Sequence, residues 1–199
     1  MPADTLVLAT RNEGKLRELA RILRYQERLV GLDAFPGVPD VPETEATFEA
    51  NALLKARAIA RHTNLPTVAD DSGLCVDALN GMPGVLSARW AGRHGDDKAN
   101  LDLVLAQLSD VPDARLGARF VCAAALVVPG GREWVVTGEV AGRLTRAPRG
   151  SGGFGYDPIF QPSGFEETTA EMTPEAKDAI SHRGRAFRAL APFITGSLS

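Results

Sequence analysis

Hydrophobic positions along the chain follow two periods, which predicts short strands interleaved with amphipathic helices. The apolar run at residues 5–9 predicts a buried strand. The next segment places Leu16, Leu19, Ala20 and Leu23 on one face of a helix. The chain therefore begins as a strand–loop–helix unit.

The same patterns predict two further helices and a strand between them. One helix follows Thr47, and the clearest amphipathic segment covers residues 97–108. A short strand at residues 67–69 is expected to end at the polar residues 70–73. Residues 81–84 (GMPG) predict a turn.

The second half of the chain predicts a hairpin and a helical C-terminal region. Two strand-like segments, residues 120–128 and 133–140, flank a PGGR sequence and so favour an antiparallel hairpin. Residues 150–157 are rich in glycine, and residues 173–175 (TPE) are typical of a helix start. Since strands, helices and a hairpin interleave, the sequence predicts an α/β fold with a mixed sheet.

Composition limits the classes of function. The 199 residues suit one domain, 1–199, which two lobes can share. A net charge of −3 argues against duplex nucleic acid but permits a small phosphorylated ligand. With no apolar run of ~20 residues and no signal-peptide pattern, we expect a cytoplasmic protein that does not span a membrane. Cys75 and Cys122 lie in apolar stretches and are expected to be buried, reduced thiols.

The segment from Thr10 to Lys15 (TRNEGK) joins the first predicted strand to the first helix. A strand that turns into a helix directs backbone N–H groups and the positive helix end at one place. Gly14 permits close approach of the backbone and Lys15 adds a charge, so the segment suits a polyphosphate. It is not a Walker A loop, and a solvated helix start is the alternative interpretation.

Carboxylates mark two more candidates. Residues 70–73 (DDSG) follow a predicted strand, and ligands of open α/β sheets gather outside the carboxyl ends of strands. Neighbouring side chains on an extended chain point to opposite faces, so one aspartate is expected to face the ligand. An Asx turn is the alternative. Glu43 is a candidate magnesium ligand, because Mg²⁺ is usually held by one or two carboxylates plus waters and phosphates.

Two segments near the C-terminus contain candidate nucleotide contacts. Phe154 and Tyr156 stand beside several glycines and would offer a stacking surface for a base, unless both pack into the core. If Ser181 caps a helix, the charge of Arg183 in the first turn opposes the helix dipole. That unfavourable placement hints at a ligand.

Six segments, in this order, resemble the inosine triphosphate pyrophosphatase family, also called the dITP/XTP pyrophosphatases or Ham1-like proteins. They are residues 10–15 (TRNEGK), 43–56, 69–74 (ADDSGL), 83–89, 152–160 (GGFGYDPIF) and 177–184. Together they span essentially the whole chain. Two positions depart from the family pattern: Arg11 replaces a frequently small residue, and Ala50 interrupts the commoner Glu-Asn pair.

The resemblance implies an elongated α/β fold of two lobes with the substrate in the cleft between them, assembled as a homodimer. It also implies Mg²⁺-dependent hydrolysis of the non-standard purine triphosphates ITP, dITP and XTP to the monophosphate and pyrophosphate, which cleanses the nucleotide pool. Glu43 and Asp71 would bind the magnesium ion, and Asp71 would also accept a proton from the attacking water. The implied phosphate-binding residues are Thr10, Arg11, Asn12, Glu13, Gly14, Lys15 and Lys55. The implied nucleotide contacts are Ser72, Phe154, Gly155, Tyr156, Asp157, Lys177, His182 and Arg183.

Two rival functions make different demands on these residues. A non-catalytic nucleotide-binding protein on the same scaffold would need the phosphate-binding segments but no metal-competent carboxylates. Glu43 and Asp71 are both present, which favours the enzyme. A phosphatase that forms an aspartyl-phosphate would need a differently spaced Asp-x-Asp motif, which the sequence lacks.

Overall fold

A computed structural model of the chain describes residues 5–11, 13–23 and 28–198. Its α-helices are α1 (Glu13–Leu23), α2 (Phe48–Thr63), α3 (Asp97–Gln107), α4 (Pro174–Ile180) and α5 (His182–Leu198). Its strands are β1 (Leu6–Leu8), β2 (Leu29–Val30), β3 (Thr67–Val76), β4 (Gly117–Val128), β5 (Arg132–Leu144) and β6 (Phe160–Pro162).

The strands form a mixed sheet in the order β2-β1-β3-β4-β5-β6. Strand β1 pairs in parallel with β2, with Leu6 opposite Leu29, and with β3, with Val7 opposite Thr67. Strand β6 pairs antiparallel with β5. Strands β4 and β5 are neighbours joined by residues 129–131, a connection too short for parallel strands. The predicted hairpin and the predicted α/β class with a mixed sheet are both confirmed.

Side-chain caps fix the starts of three helices. The Thr47 hydroxyl accepts the Ala50 N–H at 3.1 Å before α2. The Thr173 hydroxyl accepts the Ala176 N–H in the same way before α4. Asp96 accepts the Ala99 N–H at 3.1 Å before α3. These bonds satisfy N–H groups that have no partner within the helix. The helix starts predicted from Thr47 and Thr173 are confirmed.

Strand β3 is longer than the sequence predicts. It continues to Val76, so residues 70–73 lie inside the strand rather than after it. Both the predicted strand end and the alternative of an Asx turn are wrong. The reason is that Leu74, Cys75 and Val76 are buried and extend the apolar run beyond the aspartates.

The chain divides into two compact units. Unit 1 comprises Met1–Asp71, Cys122–Gly138 and Arg183–Ser199, and unit 2 comprises Ser72–Val121 and Glu139–His182. One core cluster of unit 1 includes Leu6, Leu8, Leu19, Val68, Leu126, Phe187 and Leu190. The core cluster of unit 2 includes Leu74, Val104, Leu108, Phe120, Tyr156, Ile159 and Phe160.

Two further expectations concern the cysteines and membrane-spanning helices. Cys75 and Cys122 are free and buried, as the sequence predicts. No helix in the described part of the chain combines the length and apolarity that crossing a membrane requires.

Candidate active site

The segment between β1 and α1 places Lys15 in the first turn of a helix in unit 1. Strand β1 ends at Leu8 and α1 begins at Glu13, so the first helical turn, with its positive dipole end, follows the strand closely. The exposed Glu13 side chain accepts a hydrogen bond from Arg17 at 3.1 Å. Asn12 lies outside the described residues. Thr10 contributes its carbonyl oxygen, which accepts the Leu32 N–H at 3.1 Å.

Arg11 contacts the proline-rich segment that leads to Glu43. Its guanidinium donates to the Val38 carbonyl oxygen at 2.7 Å and to Asp40 Oδ1 at 2.8 Å. Val38 is buried, whereas Asp40 is exposed. Arg11 therefore ties the loop before α1 to the connection before α2.

Glu43, Lys55 and Asp71 form a carboxylate–lysine cluster in unit 1. Lys55 Nζ, on α2, lies 2.7 Å from Glu43 Oε1 and 3.5 Å from Asp71 Oδ1 in β3. Burial lowers the pKa of Lys55, but the charges of Asp71, Asp70 and Glu43 outweigh it and raise the pKa above its ordinary value. The lysine is therefore held in its charged form between carboxylates.

The charge of the Asp71 carboxylate is only partly offset by its neighbours. Burial raises its pKa to about 6; Lys55 opposes the rise, and the charges of Glu43 and Asp70 add to it. Its Oδ2 is buried without a hydrogen-bond partner among the described residues. Buried carboxylate oxygens normally have partners, so this atom marks a place where a ligand would be favourable.

The cluster fits a magnesium ion. Mg²⁺ prefers oxygen ligands and is typically bound through one or two carboxylates, with waters and phosphates completing its shell. Glu43 and Asp71 supply two carboxylates, and the unpartnered Asp71 Oδ2 supplies a free oxygen. Among the described residues, no group of three or more His, Cys, Asp or Glu side chains could hold a metal ion. The donor set suits an ion that takes most of its ligands from elsewhere.

Asp70 points away from this cluster, into a buried ion-pair chain of unit 1. Its Oδ2 lies 3.4 Å from Lys15 Nζ and 3.3 Å from Arg183 Nε, and Arg183 Nη1 donates to Glu18 Oε2 at 2.9 Å. Burial would raise the pKa of Asp70, but Lys15, Arg183 and Lys55 hold it well below its usual range. The two aspartates thus take different partners, which the alternation along β3 explains.

The ion-pair chain explains the charge at the start of α5 without a ligand. Arg183 stands in the first helical turn, where the dipole opposes its charge. Glu18 and Asp70 compensate that charge directly. The sequence interpretation did not single out Glu18, although its spacing of three residues from Lys15 places both on one helix face.

In unit 2, Phe154, Asp157 and Lys177 lie together. Lys177 Nζ bonds to Asp157 Oδ2 at 2.5 Å and lies 5.1 Å from the centre of the Phe154 ring. Asp157 is buried, and its Oδ1 accepts the Thr169 hydroxyl at 2.8 Å. Phe154 is 49% exposed, so its ring presents an apolar face beside a cation.

The other aromatic residue of this loop packs inward. Tyr156 is buried in the unit 2 core, and its hydroxyl donates to the Ser87 carbonyl oxygen at 2.8 Å. Burial, followed by the charge of Asp97, raises the pKa of this hydroxyl. The predicted two-ring stacking surface is therefore wrong for Tyr156, and only Phe154 offers an exposed ring. Gly155, between them, has a φ of +61°.

The remaining predicted contacts are His182 and Ser72. His182 begins α5, is buried and stacks on Phe120, with ring centres 4.9 Å apart. Ser72 is half-buried within β3. Unit 1 therefore contains Lys15, Glu43, Lys55 and Asp71, and unit 2 contains Phe154, Asp157 and Lys177.

These features define an α/β protein of the class that binds phosphorylated ligands, with Lys15 in the first turn of a helix and Lys55 between two carboxylates. The sequence model of the Ham1 family matches residues 6–193. A dITP/XTP pyrophosphatase of Streptomyces coelicolor is 62% identical over 192 residues, covering 95% of this chain and 96% of the relative. One from Nocardia farcinica is 63% identical over 198 residues, covering 98% and 96%.

Solved structures of proteins with related names also match this chain. A nucleoside-triphosphatase / dITP/XTP pyrophosphatase from Mycobacterium abscessus matches at 61% identity with a TM-score of 0.79, covering 94% of this chain and 99% of that one. A HAM1 protein from Coxiella burnetii matches at 42% identity with a TM-score of 0.88, covering 96% and 98%. The chain belongs to the Ham1 family, which confirms the resemblance drawn from the six segments.

Proposed function

We propose that this protein is a magnesium-dependent pyrophosphohydrolase for the non-standard purine triphosphates ITP, dITP and XTP. It would act in the cytoplasm as a homodimer, as the family resemblance implies. The reaction adds water across the bond between the α- and β-phosphates and yields a nucleoside monophosphate and pyrophosphate. The relatives from Streptomyces and Nocardia are named for dITP and XTP, which supports this substrate class.

One observation carries the proposed chemistry: the buried Asp71 Oδ2 has no partner among the described residues, in a cluster that already contains a lysine and a second carboxylate. A binding protein would need the lysines to hold phosphates, but it would gain nothing from a buried carboxylate oxygen that has no partner among the described residues. A hydrolase needs such a group to hold a cation and to take a proton. The geometry therefore favours catalysis over binding alone.

In the proposed mechanism Asp71 accepts a proton from the water that attacks the triphosphate. Asp71 Oδ2 has no hydrogen-bond partner among the described residues, so this oxygen can accept the proton. Lys15 and Lys55 offset charge that develops on the phosphate oxygens. Glu43 and Asp71 would hold a magnesium ion, which would lower the pKa of a water bound to it. Since the protein forms no covalent bond, positioning contributes much of the rate.

The proposed role of Lys15 predicts a loss confined to phosphate binding. Its contacts of 3.4–3.5 Å with Asp70 are longer than strong charge-assisted hydrogen bonds, so Asp70 orients the ammonium without binding it tightly. Lys15→Ala is expected to weaken ITP binding by about 1.5–3 kcal/mol, the value of one hydrogen bond to a charged group. Calorimetry with ITP and inosine measures this difference, and Lys98→Ala, an exposed lysine on α3, is the control. Equal losses for ITP and inosine would place Lys15 away from the phosphates.

The proposed substrate class predicts both the products and the base preference of the wild-type enzyme. Hypoxanthine and xanthine present a 6-keto acceptor where adenine presents an amino donor. A pocket whose donors face position 6 suits the keto bases and leaves donor against donor with adenine. Guanine also has the keto group, so its exclusion would come from a poor fit for its 2-amino group. We expect kcat/KM for ITP and XTP to exceed that for ATP and GTP by at least about 10²-fold.

A malachite-green assay with and without added inorganic pyrophosphatase decides between the candidate functions. The proposed enzyme gives a phosphate signal only when pyrophosphatase is present. A phosphatase gives a signal without it, and a nucleotide-binding protein gives none in either case. Comparable kcat/KM values for ITP and ATP would contradict the base preference while leaving the pyrophosphohydrolase chemistry intact.

A further inference from the structure

The exposed Phe154 ring stands on a loop whose backbone is held by two carboxylates. The Phe154 N–H donates to Asp157 Oδ2 at 2.8 Å, and the next N–H, that of Gly155, donates to Asp97 Oδ2 at 2.8 Å. Gly153 has a φ of +72°, and a Cβ there would lie 2.1 Å from Asp157 Oδ2, so this position requires glycine. Two consecutive peptide groups around the ring are therefore anchored by charge-assisted hydrogen bonds.

Asp97 reaches this loop from a different element, 58 residues earlier in the chain. It is the first residue of α3, where a carboxylate is favourable because of the helix dipole. The helix dipole would favour Asp97 at this position even if its carboxylate made no contact with Gly155. In this structure the carboxylate is instead directed at a single backbone N–H of the loop.

The start of α3 is itself fixed, so Asp97 is a rigid anchor. Asn100, in the first turns of the helix, is buried; its Oδ1 accepts the Ala91 N–H at 2.7 Å, and its Nδ2 donates to the Ala88 carbonyl oxygen at 3.2 Å. The neighbouring Ser87 carbonyl oxygen accepts the Tyr156 hydroxyl at 2.8 Å. The segment at residues 87–88 therefore holds both the helix that carries Asp97 and the loop that Asp97 binds.

We propose that Asp97 is a positioning residue for nucleotide binding, which fixes the Phe154 ring in place through the Gly155 N–H. The inference rests on the proposed function, because it assigns the exposed ring to the base of the substrate. Asp97 would not touch the nucleotide or the reacting phosphates. Its removal should therefore weaken recognition of the base and leave binding of the phosphates unchanged.

The experiment compares Asp97→Ala with Asp97→Asn, which keeps an oxygen acceptor at the same place. Asp97→Ala is expected to raise the Kd for ITP and the KM by about 3- to 10-fold, as the loss of one exposed hydrogen bond to a carboxylate would, with kcat within about 2-fold. The Kd for inorganic tripolyphosphate, which has no base, should not change. Asp97→Asn should stay within about 2-fold of wild type. Asp102→Ala is the control, since Asp102 is an exposed carboxylate of the same helix that pairs with Lys98.

Hydrogen exchange at the Gly155 amide tests the anchor without any ligand. We expect Asp97→Ala to exchange this amide at least about 5-fold faster than wild type and Asp97→Asn to exchange it at nearly the wild-type rate. Unchanged exchange, unchanged ITP binding, or equal losses for ITP and tripolyphosphate would each overturn the inference. Failure of the wild-type protein to release pyrophosphate would instead overturn the proposed function, whereas calorimetry and exchange still report on Asp97.

Discussion

Asp71→Asn is expected to lower kcat by about 10²–10⁴-fold, the usual cost of losing a general base. The amide has nearly the same shape as the carboxylate, so the packing of β3 is kept. It has no charge to hold a cation and no basic oxygen to take a proton. Burial disfavours the charged form of Asp71, and the charges of Glu43 and Asp70 add to this effect, while Lys55 opposes it. The pKa of Asp71 is raised on balance, so a neutral side chain removes a net penalty. The free energy of unfolding should therefore not fall.

Steady-state pyrophosphate release from ITP measures the loss, and urea unfolding checks the fold. Asp102→Asn makes the same chemical change at an exposed carboxylate of α3 and should leave kcat within about 2-fold of wild type, as surface substitutions usually do. If Asp71→Asn retains more than a tenth of the wild-type rate, Asp71 is not the proton acceptor.

The second large effect is on stability. Arg183→Ala is expected to lower the free energy of unfolding by about 3–5 kcal/mol, because it leaves buried charges without their partner. The Arg183 side chain is only 3% exposed and bonds to Asp70 and Glu18, which are also buried. Any loss of ITP activity in this variant would therefore include the effect of reduced stability. Glu18→Gln in the same variant should recover part of the stability by removing one unpaired charge.

Urea unfolding followed by circular dichroism measures both variants. Arg17→Ala is the matched control, since Arg17 is on α1, its side chain is 68% exposed and it pairs with Glu13 one turn away. That change should cost only about 0.3–0.5 kcal/mol. A loss below about 1 kcal/mol for Arg183→Ala, typical of an exposed pair, would show that the buried chain contributes little.

Much of the architecture followed from local sequence. The apolar stripe of α1, the caps at Thr47 and Thr173 and the short connection between β4 and β5 are all effects between residues close in the chain. The family also followed from the sequence, because six ordered segments carry it. Where the interpretation failed, at the end of β3, the polar pair Asp70-Asp71 interrupts an apolar run. Local polarity predicts a strand end there, but pairing within the sheet overrides it.

What each charged side chain does was decided only by the tertiary structure. The sequence placed Lys15, Asp70 and Arg183 in segments that resemble the family. Asp70 and Arg183 are 113 positions apart, however, and become partners only when β3 and α5 pack together. Glu18 lies in no segment that suggested function, yet it neutralises Arg183. Tyr156 and Phe154 stand two residues apart, and burial makes one a core residue and leaves the other exposed. Burial and long-range pairing set these roles because the cost of an unpaired buried charge, unlike a helical period, has no signature in the local sequence.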